Sequence, residues 1–274
     1  MPPVSFQIMS DLHLETHPSY DHFAFDATAR HLALLGDVGH VQDAGLFAFL
    51  EAQLARYATV FFLLGNHEPY HTRLETARAR MREFEDRMNR IHHSADGSTS
   101  TGRFVFLEKT RHDLTDDLTV LGCTLFSRIS SEQGREVAAR LTDFKETLDW
   151  GVYEHNGAHE ADLSWLNDQV ARIERDEPHR QIVVFTHHSP TVDPAAIDPR
   201  HHRGSGVSTA FMTDLSREPC WTSRNVTAWA FGHTHFNCSF RDEEHGKVVF
   251  TNQKGYYLVP ETTFHAERVF AIGE

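Results

Sequence analysis

The sequence predicts an α/β protein, and two patterns carry that expectation. Short apolar runs alternate with segments whose apolar residues step by three and four, the periods of buried strands and amphipathic helices. Five of those apolar runs also end in Asp, Asn, His or Gly. In open α/β sheets that end of a strand is where ligands bind.

Taken in order, Val4, Phe6 and Ile8 alternate with Ser5 and Gln7, which predicts a strand over 4–9 running into Asp11-Leu12-His13. His31-Leu32-Ala33-Leu34-Leu35 is a second strand, closed by Gly36-Asp37. Asp43 can cap a helix that buries Leu46, Phe47, Leu50, Leu54 and Tyr57. The run Val60 to Leu64 is a third strand, ended by Gly65-Asn66-His67-Glu68. Crossovers of this kind are right-handed, so the loops after the second and third strands become neighbours.

After Pro69, the positions Tyr70, Leu74, Ala77, Met81, Phe84, Met88 and Ile91 step by four and three. They predict an amphipathic helix of about six turns with its stripe in the core. Residues 92–102 have the composition of a mobile surface loop. Phe104 to Leu107 and Leu118 to Leu121 are expected to be strands of a second set. Leu163, Leu166, Val170 and Ile173 mark a further helix, and Gln181 to Thr186 a buried strand running into His187-His188-Ser189-Pro190. Residues 191–208 carry Pro194, Pro199, Gly204, Gly206, His201, His202 and Arg203, the composition of either a lid or a disordered segment. Val226 to Phe231 forms a strand ending at Gly232-His233-Thr234-His235, and residues 236–241 and 247–251 form a hairpin. No repeat or linker divides the chain, so one domain over 1–274 is expected.

Bulk composition narrows the function. The chain has 274 residues, 40% of them hydrophobic, enough for a sizeable core. Its net charge of −13 argues against long nucleic acids and anionic membranes, which bind through Lys and Arg. The 21 histidines hint at metal. Cys123, Cys220 and Cys238 are odd in number and widely spaced, so neither a disulfide framework nor a thiolate zinc site follows. No signal-like or membrane-spanning run is visible, which points to the cytosol.

Seven groups at the strand ends carry chemistry: Asp11, His13, Asp37, Asn66, His187, His233 and His235. Singly, such a His is a half-buried structural residue and such an Asp a turn former. Recurrence at five strand ends makes independent explanations implausible. Imidazoles mixed with carboxylates suit Zn, Mn, Fe, Co or Ni, whereas Mg and Ca want oxygen. Seven donors exceed what one ion with an open position can use, and they suit two ions sharing a carboxylate.

Asp11-Leu12-His13, Gly36-Asp37, Gly65-Asn66-His67-Glu68, His187 and Gly232-His233-Thr234-His235 resemble, motif for motif and in order, the calcineurin-like metallophosphoesterase family. Leu121-Gly122-Cys123-Thr124-Leu125 and Asn252-Gln253-Lys254-Gly255-Tyr256 look like a branch acting on small phosphoesters. The resemblance implies a four-layer αββα sandwich of two mixed sheets, with two metal ions (Mn, Fe or Zn) at the strand ends. It implies Asp11, His13, Asp37 and His235 on one ion and Asp37, Asn66, His187 and His233 on the other, with Asp37 bridging. A metal-bridging hydroxide would then be the nucleophile. His67, next to a ligand but not one itself, would be free to protonate the leaving oxygen. Glu68 would favour the positive end of the helix opening at Pro69, a structural role. His188 would be a neighbour of the ligands or a substrate contact.

Departures from the family refine the expectation. Protein phosphatases of the family continue Gly-Asp with Asp-Arg-Gly and place Arg before Gly-Asn-His. Here Val38-Gly39-His40 and Leu64 stand in those places, so a phosphoprotein substrate is not expected. The Asp that orients the catalytic His in those enzymes is missing as well. His40 replaces the iron-binding Tyr of purple acid phosphatases. The expected function is hydrolysis of small phosphomonoesters or phosphodiesters; the alternatives are a catalytically silent scaffold of the same fold, or a nuclease.

Overall fold

In the computed structural model, which describes residues 4–94, 101–200 and 205–272, the opening alternation becomes β1 (Val4–Met9). The apolar runs that follow form β2 (His31–Leu35) and β3 (Thr59–Leu63), joined through α1 (Ala44–Leu54). A second crossover, α2 (Leu74–Ser94), leads to β4 (Arg103–Phe106). The four strands lie side by side and parallel, in chain order.

The second half repeats the plan less regularly. A hairpin of β5 (Thr110–Asp113) and β6 (Leu118–Gly122) is followed by the short helices α3 (Gly134–Arg140) and α4 (Asp143–Glu146). The long helix α5 (Val152–Asp176) then returns the chain to β7 (Gln181–Phe185). After the one-turn α6 (Pro219–Thr222) come β8 (Val226–Phe231), β9 (Ser239–Arg241) and β10 (Val248–Thr251). A small pair, β11 (Gly255–Tyr256) and β12 (Val259–Pro260), precedes β13 (Val269–Ile272). The second sheet runs β5-β6-β7-β8-β10-β9, and β13 closes the first sheet antiparallel to β1.

Side-chain alternation sets the layers. Phe6, Ala33 and Phe61 on one face of the first sheet meet Val120, Val183 and Phe185 of the second. On the opposite face Leu34, Phe62 and Phe104 pack with Leu46 and Leu50 of α1 and Met81 and Phe84 of α2. The outer face of the second sheet, through Leu121, Val184 and Trp229, covers Leu166, Val170 and Ile173 of α5. The order is therefore helix, sheet, sheet, helix. In β8 an extra residue, Thr227, shifts the register against β7, which leaves Val226 on the helix side while Ala228 faces the other sheet.

Several sequence expectations need correction. Phe104 to Leu107 was expected in the second set of strands, but β4 pairs with β3 in the first sheet, Val60 opposite Phe104. The crossover through α2 makes it one more βαβ unit. The helix expected from Tyr70 begins at Leu74, and Ile91, placed in the core stripe, is 48% exposed. A stripe stepping by 3.5 drifts about 20° per heptad around a 3.6-residue helix, so it leaves the core. Asp43 precedes α1 without a side-chain cap bond, because its carboxylate accepts the Tyr20 hydroxyl at 2.9 Å. Phe49, rather than Phe47, is the buried aromatic of that helix.

Helix α2 reaches Ser94, so the loop expected over 92–102 starts later, and residues 95–100 lie outside the described ones. The segment 191–208, expected to be either a lid or disordered, contains 3-10 turns at Pro194–Ala196 and Ser208–Ala210, with 201–204 outside the described residues. All three cysteines are free. No described helix is long and apolar enough to cross a membrane.

Candidate metal centre

Three of the cargo-bearing strands, β1, β2 and β8, stop where the backbone turns into the left-handed region. Asp11, His13, Asp37, His233 and His235 all have φ between 46° and 69°. For residues with a Cβ this left-handed region costs roughly 1–2 kcal/mol each, so surrounding structure must hold them. Here it is other loops that hold them. Asp11, His13 and Leu14 donate their N–H groups to the carbonyls of Gly36, Asp37 and Val38, zipping the loops after β1 and β2 together. Gly36, at φ 86°, could carry no Cβ: it would lie 2.6 Å from the Gly65 nitrogen and from His187 Nδ1. A Cβ at Gly65 would fall 2.1 Å from Asp37 Oδ1.

Glu68 is structural, as expected, but by another route than a helix dipole. Its fully buried carboxylate accepts from the N–H groups of Gly65, Val38 and Asp37 at 2.6, 2.7 and 3.1 Å, fastening the β3 loop to the β2 loop. The segment 252–254 does the same for the second sheet. Gln253 Oε1 accepts the His235 N–H at 2.6 Å, and Lys254 Nζ donates to the Leu12 carbonyl at 2.8 Å.

The loops bring the predicted donors into one cleft. Ligand atoms of Asp11, His13 and His235 lie within 4.8 Å of one another, and so do those of Asp37, His187 and His233. Asp37 Oδ2 faces both sets, 3.4 Å from His187 Nε2 and 3.9 Å from His13 Nε2, while Oδ1 accepts the His67 N–H at 2.9 Å. His13 Nε2 and His235 Nε2 point at each other across 3.1 Å. Asn66 gives its Nδ2 to Asp143 at 2.8 Å, which turns its Oδ1 toward His187 Nε2 at 3.0 Å. Nε2 of His233 is buried with no hydrogen-bond partner. Converging imidazoles and carboxylates, with an unpartnered ring nitrogen among them, are the donor set of a transition-metal centre. A third set, His13, Glu15 and His67, has its ligand atoms within 4.8 Å as well. There the Glu15 carboxylate already bonds both rings.

Electrostatics agree with a cation site. Burial opposes the charge on Asp37, but His187 and His67 outweigh it and hold the carboxyl well below its usual range. Burial and the neighbouring His187 push His233 down to about 3, so it is neutral and ready to ligate. Burial works against the imidazolium of His67, yet Asp37 and Glu15 prevail and lift it to about 9. Dications beside these rings would take over the role of the protons.

Glu15 and Asp143 were not anticipated, and Tyr256 was marked only as part of the segment 252–256, without a role. Glu15 Oε1 sits 3.1 Å from Nδ1 of both His13 and His67. It follows Asp11 and His13 at every second residue, a spacing that could have flagged it. Tyr70, read from sequence as core, stacks on His67 with ring centroids 4.3 Å apart and gives its hydroxyl to Asp143. Tyr256 stacks on His13 and brings its hydroxyl 3.3 Å from His67 Nε2. Nothing in the sequence near Asp143 pointed to the site. His188 is fully buried behind His233, ring centroids 4.0 Å apart, with both nitrogens unpartnered. It therefore stands behind His233, away from the open face of the cleft.

Two mixed sheets presenting an Asp/His/Asn cluster at their strand ends define a metal-dependent phosphoesterase. The chain belongs to the calcineurin-like phosphoesterase family, which residues 5–237 match. It is 24% identical over 248 residues to an uncharacterised protein of Acanthamoeba polyphaga mimivirus, covering 82% of this chain and 78% of that one. Among solved structures it is similar to a phosphopantetheinyl hydrolase from Mycobacterium tuberculosis, with TM-score 0.69, 16% identity and coverage of 98% and 96%. It is also similar to a dimetal phosphatase from Danio rerio, with TM-score 0.54, 13% identity and coverage of 96% and 91%.

Proposed function

We propose that the chain hydrolyses small phosphomonoesters or phosphodiesters with two transition-metal ions (Mn, Fe or Zn). Asp11, His13, Asp37 and His235 would hold one ion, and Asp37, Asn66, His187 and His233 the other. The observation that carries this reading is the placement of Asp37 Oδ2 between the two donor sets. Two such ions, when bound, supply Lewis acidity, a nucleophile at neutral pH and compensation for charge developing on the phosphoryl group.

The chain's own residues divide the remaining work. His67 Nδ1 faces Glu15, which fixes the ring and leaves Nε2 toward the cleft. From there His67 donates a proton to the leaving oxygen, and Glu15 replaces the orienting Asp that the family's protein phosphatases carry. Tyr70 holds the ring from one face. The neighbour from Mycobacterium tuberculosis is described as a phosphopantetheinyl hydrolase, so a phosphopantetheinyl ester belongs in the first substrate panel.

The test compares leaving groups. General acid catalysis is worth about 10²–10⁴-fold, and a nitrophenolate needs it far less than an alkoxide does. With Mn bound, His67→Ala should therefore lose kcat/KM severely on an alkyl ester and much less on a nitrophenyl ester. Equal losses on both would remove the acid role. A wild type that binds metal yet turns over neither ester would make the chain a silent scaffold.

A further inference from the structure

Beside the metal cleft, of about 370 Å³, lies a second and larger cavity of about 480 Å³. The two share Arg140, Val207, Phe211 and Thr234 along their common edge. Phe211 stands at the junction: its ring stacks on His233, centroids 4.8 Å apart and planes 21° apart, and also lines the second cavity. Thr234 lies in the chain between His233 and His235 and faces both spaces. The two cavities therefore adjoin, and a group attached to phosphorus at the metal cluster lies beside the larger one.

The chemistry of that cavity is not the chemistry of the cleft. Its walls are Val192, Ala196, Ile197, Val207 and Met212, with hydroxyls of Ser208 and Thr209 at intervals. Among the described residues its charged side chains are already paired. Asp198 is held by Arg200 at 2.7 Å, and Arg140 by Glu136 at 2.6 Å. Among the described residues a nucleotide tail or a second phosphate would meet no uncommitted cation there, whereas an apolar group would lose water-exposed surface on entering.

Given phosphoester hydrolysis at the metal cluster, we infer that this cavity takes an uncharged, largely apolar organic group of the substrate. It is thus a specificity site: the cluster reads the phosphoryl group and the cavity reads what the phosphoryl group is attached to. Each methylene moved from water into the cavity should raise kcat/KM by about 4-fold until the space is filled.

A series of p-nitrophenyl alkyl phosphodiesters with methyl, butyl and hexyl chains tests this, because the leaving group stays constant. Calorimetry of the Mn-loaded protein with methylphosphonate and hexylphosphonate reads the same preference without turnover. The wild type should favour the longer chain in both measurements. Met212→Trp, and independently Ile197→Trp from another wall, should flatten the chain-length dependence. If the wild type hydrolyses all the esters alike and binds both phosphonates alike, the cavity assignment is wrong while the hydrolase stands. If it binds hexylphosphonate more tightly but cleaves no ester, the cavity assignment stands and the hydrolase reading falls. If both folded variants keep the wild-type dependence, the preference arises elsewhere and the assignment is overturned.

Discussion

Glu15 shows how one residue can serve two tasks. Its carboxylate accepts from His13 and from His67, and burial would raise its pKa, but the two imidazole bonds outweigh burial and hold it at about 2. It therefore stays an anion, and both rings keep their Nδ1 protons directed at it. Glu15→Gln keeps the shape but removes the charge and half the accepting capacity. Losing such a supporting partner typically costs about 10–100-fold in activity or metal affinity. The expected outcome is a larger loss of kcat/KM on the alkyl ester than on the nitrophenyl ester, with metal content unchanged. A loss that is equal on both esters and accompanied by metal depletion would assign Glu15 to His13 instead. Asn66 shows the same logic in a neutral group: Asp143 takes its Nδ2, which leaves the amide only one way to face the site.

At the scale of the element, β2 carries Asp37 at one end and a buried base, His31, at the other. The His31 ring lies between Phe6 and Phe61, at centroid distances of 5.7 and 6.4 Å. Burial, with Arg30 and His112 adding to it, lowers its pKa from 6.5 to about 4. The unfolded chain binds the proton at the ordinary value, so protonation favours unfolding. Stability from this group is complete above pH 6.5 and is lost as pH falls toward 4, by up to about 3 kcal/mol. His31→Phe should remove that part of the acid sensitivity. Urea unfolding of the chelated wild type and variant at pH 7 and 4.5 measures it; an identical loss in both proteins would assign the sensitivity to other groups.

At the scale of the whole molecule, the donors come from both halves. Asp11, His13, Asp37 and Asn66 follow strands of the first sheet, and His187, His233 and His235 follow strands of the second. Ions bound between them should fasten the two sheets together, so Mn should raise Tm and a chelator lower it. A ligand at 100 times its Kd adds about 2.7 kcal/mol per site. Asp37→Asn should abolish most of the Mn-induced rise, because Asp37 Oδ2 faces both donor sets, whereas Asn66→Ala should remove less. Thermal unfolding with and without Mn separates them, and equal residual shifts in the two variants would contradict the bridging role.

The sequence by itself determined the α/β class, the strands that end in cargo and the identity of seven candidate ligands. These are local properties: an apolar run followed by Gly-Asp or Gly-Asn-His reads the same wherever it is placed. Only the tertiary structure decided that β4 joins the first sheet, that Asp43 serves Tyr20 instead of capping α1, and that Ile91 leaves the core. It alone brought Asp143 to Asn66 across 77 positions of the chain and Tyr256 to His67 across 189. It alone set an apolar cavity against the metal cleft. The reason is physical: which strand pairs with which, and which side chains meet across loops, depend on contacts between distant segments, and no periodicity within one segment encodes them.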